Sequence, residues 1–127
     1  MQFSWLLWAA INGFVAVALG AFGAHGLATR VTEQRLGNWQ TAVQYQMFHV
    51  MALVIVALLI RELGQLPLLK LGGRLFLAGI VLFSGSLYLL VLSEQRWLGM
   101  ITPLGGLCFL AGWAVVGWAC VQASNGA

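Results

Sequence analysis

The sequence predicts an all-α integral membrane protein, an antiparallel four-helix transmembrane bundle running up-down-up-down, and three observations carry that expectation. Only 7% of the 127 residues are charged and 61% are hydrophobic, whereas a soluble domain carries about 25% charged residues. So few charges cannot cover a water-facing surface, and the mean hydropathy of +0.94 agrees. The apolar residues fall into four runs, residues 4–27, 38–60, 73–93 and 98–122, each near the roughly 20 residues with which an α-helix crosses about 30 Å of hydrocarbon. The runs are continuous, without the alternating segments of about ten residues that mark a transmembrane β-barrel. Residues 1–127 therefore read as a single membrane domain with short loops.

The first run contains small residues that resemble a leader cleavage site, but no Lys or Arg precedes Arg30. A secretory leader needs a basic start, so the run is expected to stay as a span. Between the first two runs, "ATRVTEQRLGN" suits a solvated connector with a short interfacial helix capped by Thr32. The second run is the most polar of the four. The third follows the loop "RELGQLPLLKLGGR". The fourth opens on "WLGMITPLGG", where Pro103 costs little if it falls in the first turns or, farther in, kinks the helix and opens a cavity beside the polar residues, and Gly105 and Gly106 suit close packing on the third span. Cys108 and Cys120 both fall on this last helix, about 18 Å apart at 1.5 Å per residue, too far to pair.

Alternating helices put both termini and the 61–74 loop on one membrane face, side A, and the other two loops on side B. Trp5, Trp8 and Trp118 fall near side A and Trp39 and Trp97 near side B, at the interfaces that amphipathic rings prefer. Basic residues divide evenly, Arg61, Lys70 and Arg74 against Arg30, Arg35 and Arg96. The α-amino group and the clustering in one loop favour side A as the cytoplasmic face. The six basic residues form no stripe, which excludes a nucleic-acid partner.

On a helical wheel Ala9, Asn12, Gly13, Ala16, Gly20 and Gly23 share one face of about 100°. In lipid, close packing through small residues holds helices together. Gly13, Ala16, Gly20 and Gly23 are therefore expected to pack against the second span, with Gly20 and Gly23 level with residues 39–42. Gly26 reads as a left-handed helix end. His25 falls near the side-B interface, within reach of headgroups, water or a loop carbonyl. Gly79, Gly112 and Gly117 are expected on outer faces, available for contact between copies.

The segments "GAFGAHGL", "WQTAVQYQMFHVMAL", "GIVLFSGSLYLL" and "ITPLGGLCFLAGW" occur in this order over nearly the whole chain. Together they resemble the small inner-membrane proteins of the YgdD type, catalogued as domain of unknown function 423, with the transmembrane protein 256 group as eukaryotic relatives. The resemblance implies a four-span protein of the bacterial inner membrane with no established molecular activity, and it implies no catalytic residues.

Polar side chains inside a bilayer are costly unless they face the bundle or water. Tyr45, Gln46 and His49 share a face of the second span and are expected to point inward. Counted by helical rise, His49 and Asn12 lie near the midplane and Ser84 and Ser86 at or slightly past it, level with Gln46. The candidate site is thus an intramembrane polar layer of Asn12, Tyr45, Gln46, His49, Ser84 and Ser86, with Cys108 at its edge. Such a layer serves as interhelical glue, or as a pathway through the ionisable His49.

His25 and His49 differ in depth by about 13 Å, too far to share a zinc or a haem, so no metal and no cofactor is expected. Glu33, Glu62 and Glu94 lie in or beside loops, and no nucleophile has a base and an orienting carboxylate nearby. No catalytic residues are assigned. The reading is a non-enzymatic structural or accessory protein whose partners are the lipid bilayer and either a second copy or another membrane protein. The alternative is a small-molecule, proton or ion conductor built on the layer around His49.

Overall fold

The computed structural model describes residues 2–126, and these form four long helical rods. The first comprises α1 (Gln2–Phe22) and one π-helical turn (Gly23–Leu27). The second is α2 (Glu33–Leu63). The third joins α3 (Pro67–Gly79) through a π-helical stretch (Ile80–Gly85) to α4 (Ser86–Ser93). A 3₁₀ turn (Arg96–Met100) leads into α5 (Thr102–Asn125), which completes the fourth. Each rod is long and apolar enough to cross a bilayer, and the chain is a four-span integral membrane protein.

Local chemistry sets the ends. The Thr32 hydroxyl accepts from the Arg35 N–H at 3.2 Å and caps α2 as expected. The helix it starts is not a separate interfacial piece: no proline stands between Thr32 and Leu66 to stop it. The result is 31 residues, about 46 Å long, so the first turns of α2 stand outside the hydrocarbon. Its far end closes on Gly64, where φ is +94°, a backbone that favours glycine. Pro67 then opens α3 at a position where a missing N–H costs nothing. α3 therefore begins six residues earlier than the apolar run, with Lys70 half-buried on it, its stem covering apolar surface. Pro103 lies in the first turn of α5.

The end of the first rod departs from expectation. Gly26 is not left-handed; the only positive φ values among the described residues are at Gly64 and Glu94. The helix widens into a π turn instead, and a Cβ on Gly26 would meet the Phe22 ring at 2.8 Å.

Packing divides the rods into two close pairs, α1 with α2 and α3 with α5, and α2 joins the pairs by also packing on α3, the π stretch and α4. α1 and α5 share no extensive contact. The contacts are antiparallel: Gly13 faces Val50, Gly20 faces Val43 and Gly23 faces Trp39. Gly23 is the tightest of these, since a Cβ there would lie 2.5 Å from the Trp39 ring. Ala9 and Ala16 are buried on the same face.

The second pair uses the same device. A Cβ on Gly72 would strike Val116, one on Gly112 the Phe76 ring, and one on Gly79 the Phe109 ring. Gly79 and Gly112 are therefore interior, contrary to the expectation of outer faces, because bulky residues of the opposite helix fill their notches. Gly117 is exposed with nothing nearby. Gly105 makes the closest approach, where a Cβ would lie 2.7 Å from the Leu82 carbonyl carbon and the Phe83 Cα.

Backbone, unlike a flexible side chain, cannot rotate away. Gly105→Ala is expected to destabilise the bundle by about 1–3 kcal/mol or more, while Gly117→Ala on the open face of the same helix changes little. Thermal unfolding of the two variants in detergent measures the difference.

Candidate functional site

The buried face of α2 runs Trp39, Ala42, Gln46, His49, Leu53, Val56 and Ile60, alternating steps of three and four residues, so one stripe faces the other rods along the whole helix. Its half nearer side B carries every polar member; the half nearer side A is apolar. The candidate layer is built on that polar half.

Nearest side B, the Trp39 indole N–H donates to the Leu19 carbonyl at 2.8 Å, where the π turn beyond α1 brings Gly23 under the ring. Next, the Ser84 hydroxyl donates to the Ala42 carbonyl at 2.7 Å. Ser84 lies within the π stretch of the third rod and is fully buried. It is thus one turn of α2 away from Gln46, the residue with which it was expected to be level.

Gln46 is the centre. Its amide donates to Asn12 Oδ1 at 3.0 Å, and its carbonyl oxygen accepts from the Tyr88 hydroxyl at 2.7 Å. Asn12 in turn donates to the Trp8 carbonyl at 2.9 Å. Three rods are joined through one side chain. Tyr88 reaches Gln46 because helical side chains point back toward the N-terminus of their own helix, here deeper into the bundle, and its ring packs on Trp39 at 4.7 Å.

One turn further, His49 Nδ1 lies 2.8 Å from the Tyr45 carbonyl, and the Trp113 indole N–H donates to Nε2 at 3.1 Å. An indole nitrogen only donates and a carbonyl only accepts, so the proton sits on Nδ1 and Nε2 is the acceptor. This is a neutral imidazole with both nitrogens satisfied. Its ring stacks on Phe109 with centroids 3.6 Å apart and planes 8° apart, and Phe76 and Phe48 border it.

The remaining candidates lie apart from this chain of bonds. Ser86 is buried and shares a 2.6 Å hydrogen bond with Thr102, also bonding the Phe83 carbonyl. Tyr45 does not point inward: it is 43% exposed, its ring lying across Phe83 and Phe109. The shift follows from the stripe, since residue 45 falls one position off the 42–46–49 face. Cys108 is half-buried and free, and Cys120 is exposed and free. His25 is exposed on the π turn near side B.

Tyr88, Trp113 and Thr102 are the bonding partners that the sequence reading did not assign. Trp113 had a signal of its own: the other five tryptophans fall near helix ends, and an indole in mid-span needs an acceptor. Among the described residues every buried side-chain nitrogen and oxygen has a partner. No group of three His, Cys, Asp or Glu side chains comes together to hold a metal ion there.

The Gln46 node can be tested by subtraction. Gln46→Leu leaves both Asn12 Oδ1 and the Tyr88 hydroxyl without their partner and is expected to cost about 1–3 kcal/mol. Tyr88→Phe removes one interhelical bond and is expected to cost about 1 kcal/mol. Unfolding titrations of both variants in mixed micelles give the order.

Residues 19–106 match the model of a family described as "Protein of unknown function (DUF423)". The chain is similar to the UPF0382 membrane protein YwdK of Bacillus subtilis, with 47% identity over 113 residues, 89% of this chain and 92% of that one. It is similar also to the UPF0382 inner membrane protein YgdD of Escherichia coli, with 46% identity over 112 residues, 87% of this chain and 84% of that one. The UPF0382 membrane protein SAB0533 of Staphylococcus aureus is 44% identical over 108 residues. No solved structure is significantly similar. With four apolar spans and relatives of this kind over most of its length, the chain belongs to the DUF423 family of membrane proteins, for which no specific activity is indicated.

Proposed function

We propose that the protein is a non-enzymatic structural or accessory component of the bacterial inner membrane, acting through helix contacts with a second copy of itself or with another membrane protein. The observation that carries this reading is the closure of the polar layer: Asn12, Gln46, His49, Ser84 and Ser86 all bond within the bundle, and among the described residues no buried polar side-chain atom is left without a partner. Closure favours the glue role over a proton pathway, because a carrier at His49 must break the Trp113 bond in every cycle. The inner-membrane placement is supported by the Escherichia coli relative YgdD, an inner membrane protein by name.

The surface for such contacts is the outer face of α5, where Leu110, Ala114, Gly117 and Val121 are exposed at helical spacing and the small pair permits close approach. Mass measurement of the intact complex in mild detergent tests the reading. The expected result is a species heavier than the 13.7 kDa chain, lost in Gly117→Leu while that variant still folds; a lone chain with no companion would remove the proposal. Reconstitution in liposomes with a pH-sensitive dye adds a second arm. No proton flux is expected, from the native chain or from His49→Gln, and flux that His49→Gln abolishes would favour the conductor instead.

An even number of spans supports both termini lying in one compartment, and the α-amino group with the clustering of Arg61, Lys70 and Arg74 favours the cytoplasm for it. Reporter fusions at the two ends are expected to give matching cytoplasmic signals.

A further inference from the structure

At side B the start of α2, the end of α4 and the 3₁₀ turn meet around a cavity of about 600 Å³. It is lined by Thr32, Gln34, Arg35, Asn38, Leu90 and Arg96: two guanidiniums, two carboxamides, a hydroxyl and one apolar residue, with no carboxylate among them. A cavity in which donors predominate and two positive charges converge suits an oxyanion. We propose that this cavity binds the phosphate of an anionic phospholipid headgroup.

The two arginines differ in how they are held. The Arg35 side chain is largely buried, and Nη1 makes both of its contacts, to the Leu90 carbonyl at 3.4 Å and to Glu94 at 3.7 Å. Its remaining donors stay available, since the guanidinium carries five N–H groups in a fixed fork. Glu94 lines a neighbouring cavity with Arg30, Thr32 and Arg35, and it does not line the proposed site. Arg96 is exposed and forms no ion pair among the described residues. One guanidinium is anchored and the other can swing onto a ligand.

Position identifies the source of the phosphate. The cavity is level with Trp97, which follows Arg96 and is 58% exposed. Tryptophan at such a level marks the headgroup zone. Leu89 and Leu92 are exposed on α4 and offer apolar surface along which acyl chains continue. A soluble phosphate ester has no use for that surface.

The test counts lipids retained by the purified full chain in native mass spectrometry, with phosphatidylglycerol, phosphatidylcholine and inorganic phosphate as probes. One phosphatidylglycerol is expected to stay bound, and Arg96→Gln should weaken it roughly tenfold, the effect of losing one charge-assisted contact. Arg96→Lys, which keeps the charge and loses the fork, should fall between. Arg61→Gln removes the same charge at the opposite membrane face and should change nothing, which separates a site from general attraction. Melting curves check that each variant folds. Equal retention of the two lipids, or full retention by Arg96→Gln, would overturn the proposal. Displacement of the lipid by inorganic phosphate at equal concentration would overturn the assignment to a lipid.

Discussion

Hydrocarbon offers no hydrogen bonds, so each polar side chain buried among the spans is driven to find its partner within the protein. The arrangement of this bundle follows from that constraint acting on α2. Its buried stripe presents Trp39, the Ala42 carbonyl, Gln46 and His49 at successive turns, and each is met from a different place: α1, the π stretch, α1 together with α4, and α5. Each bond is short-ranged and directional, so together they specify which helix stands beside α2 at which depth. Dispersion alone would tolerate a slip of one turn. These bonds would not.

Packing then uses one device within the helix pairs and, at Gly73, between α3 and α1: a glycine on one helix faces a bulky residue on the other, while Gly105 faces backbone. Gly23 takes the Trp39 ring, Gly73 the Trp5 ring, Gly79 the Phe109 ring and Gly112 the Phe76 ring. The hydrophobic effect supplies no net attraction between helices already in lipid, so contact area has to come from notches and rings that fit. The bulky members also serve the polar layer. Trp39 fills a notch and donates a hydrogen bond; Phe109 fills a notch and stacks on His49. Packing and hydrogen bonding therefore share residues, and neither can be altered alone at these positions.

Span number, direction and the small face of α1 were legible in the sequence because each rests on a repeat: length of apolar run, alternation of direction, and helical spacing of small residues. Gly23 against Trp39 followed from depth counting alone. What was not legible depends on local departures from a regular helix. The π turn at Gly23–Leu27 replaced an expected glycine stop, and Ser84, inside the π stretch at Ile80–Gly85, meets the Ala42 carbonyl and not Gln46. Nothing in residue type distinguishes a π turn from an α turn. Tyr88 and Trp113 were passed over for a different reason: as aromatic residues in an apolar run they suit the core equally well, and only their acceptors show which role they have.

The uneven division of α2 has a mechanical consequence. Toward side A the stripe continues as Leu53, Val56 and Ile60 in one cluster with Leu69, Val116 and Ala119, without side-chain hydrogen bonds between the rods among the described residues, and the second and third rods are joined there by the tight Gly64 turn. Toward side B the bonds are dense, ending in Arg35 on the Leu90 carbonyl. Cohesion is thus directional in the side-B half of the bundle and non-directional in the side-A half. Such a division holds four helices in register with few polar groups, and it places the only charged interhelical contact among the described residues, Arg35 with Glu94, at the membrane face where water and headgroups reduce the cost of carrying it.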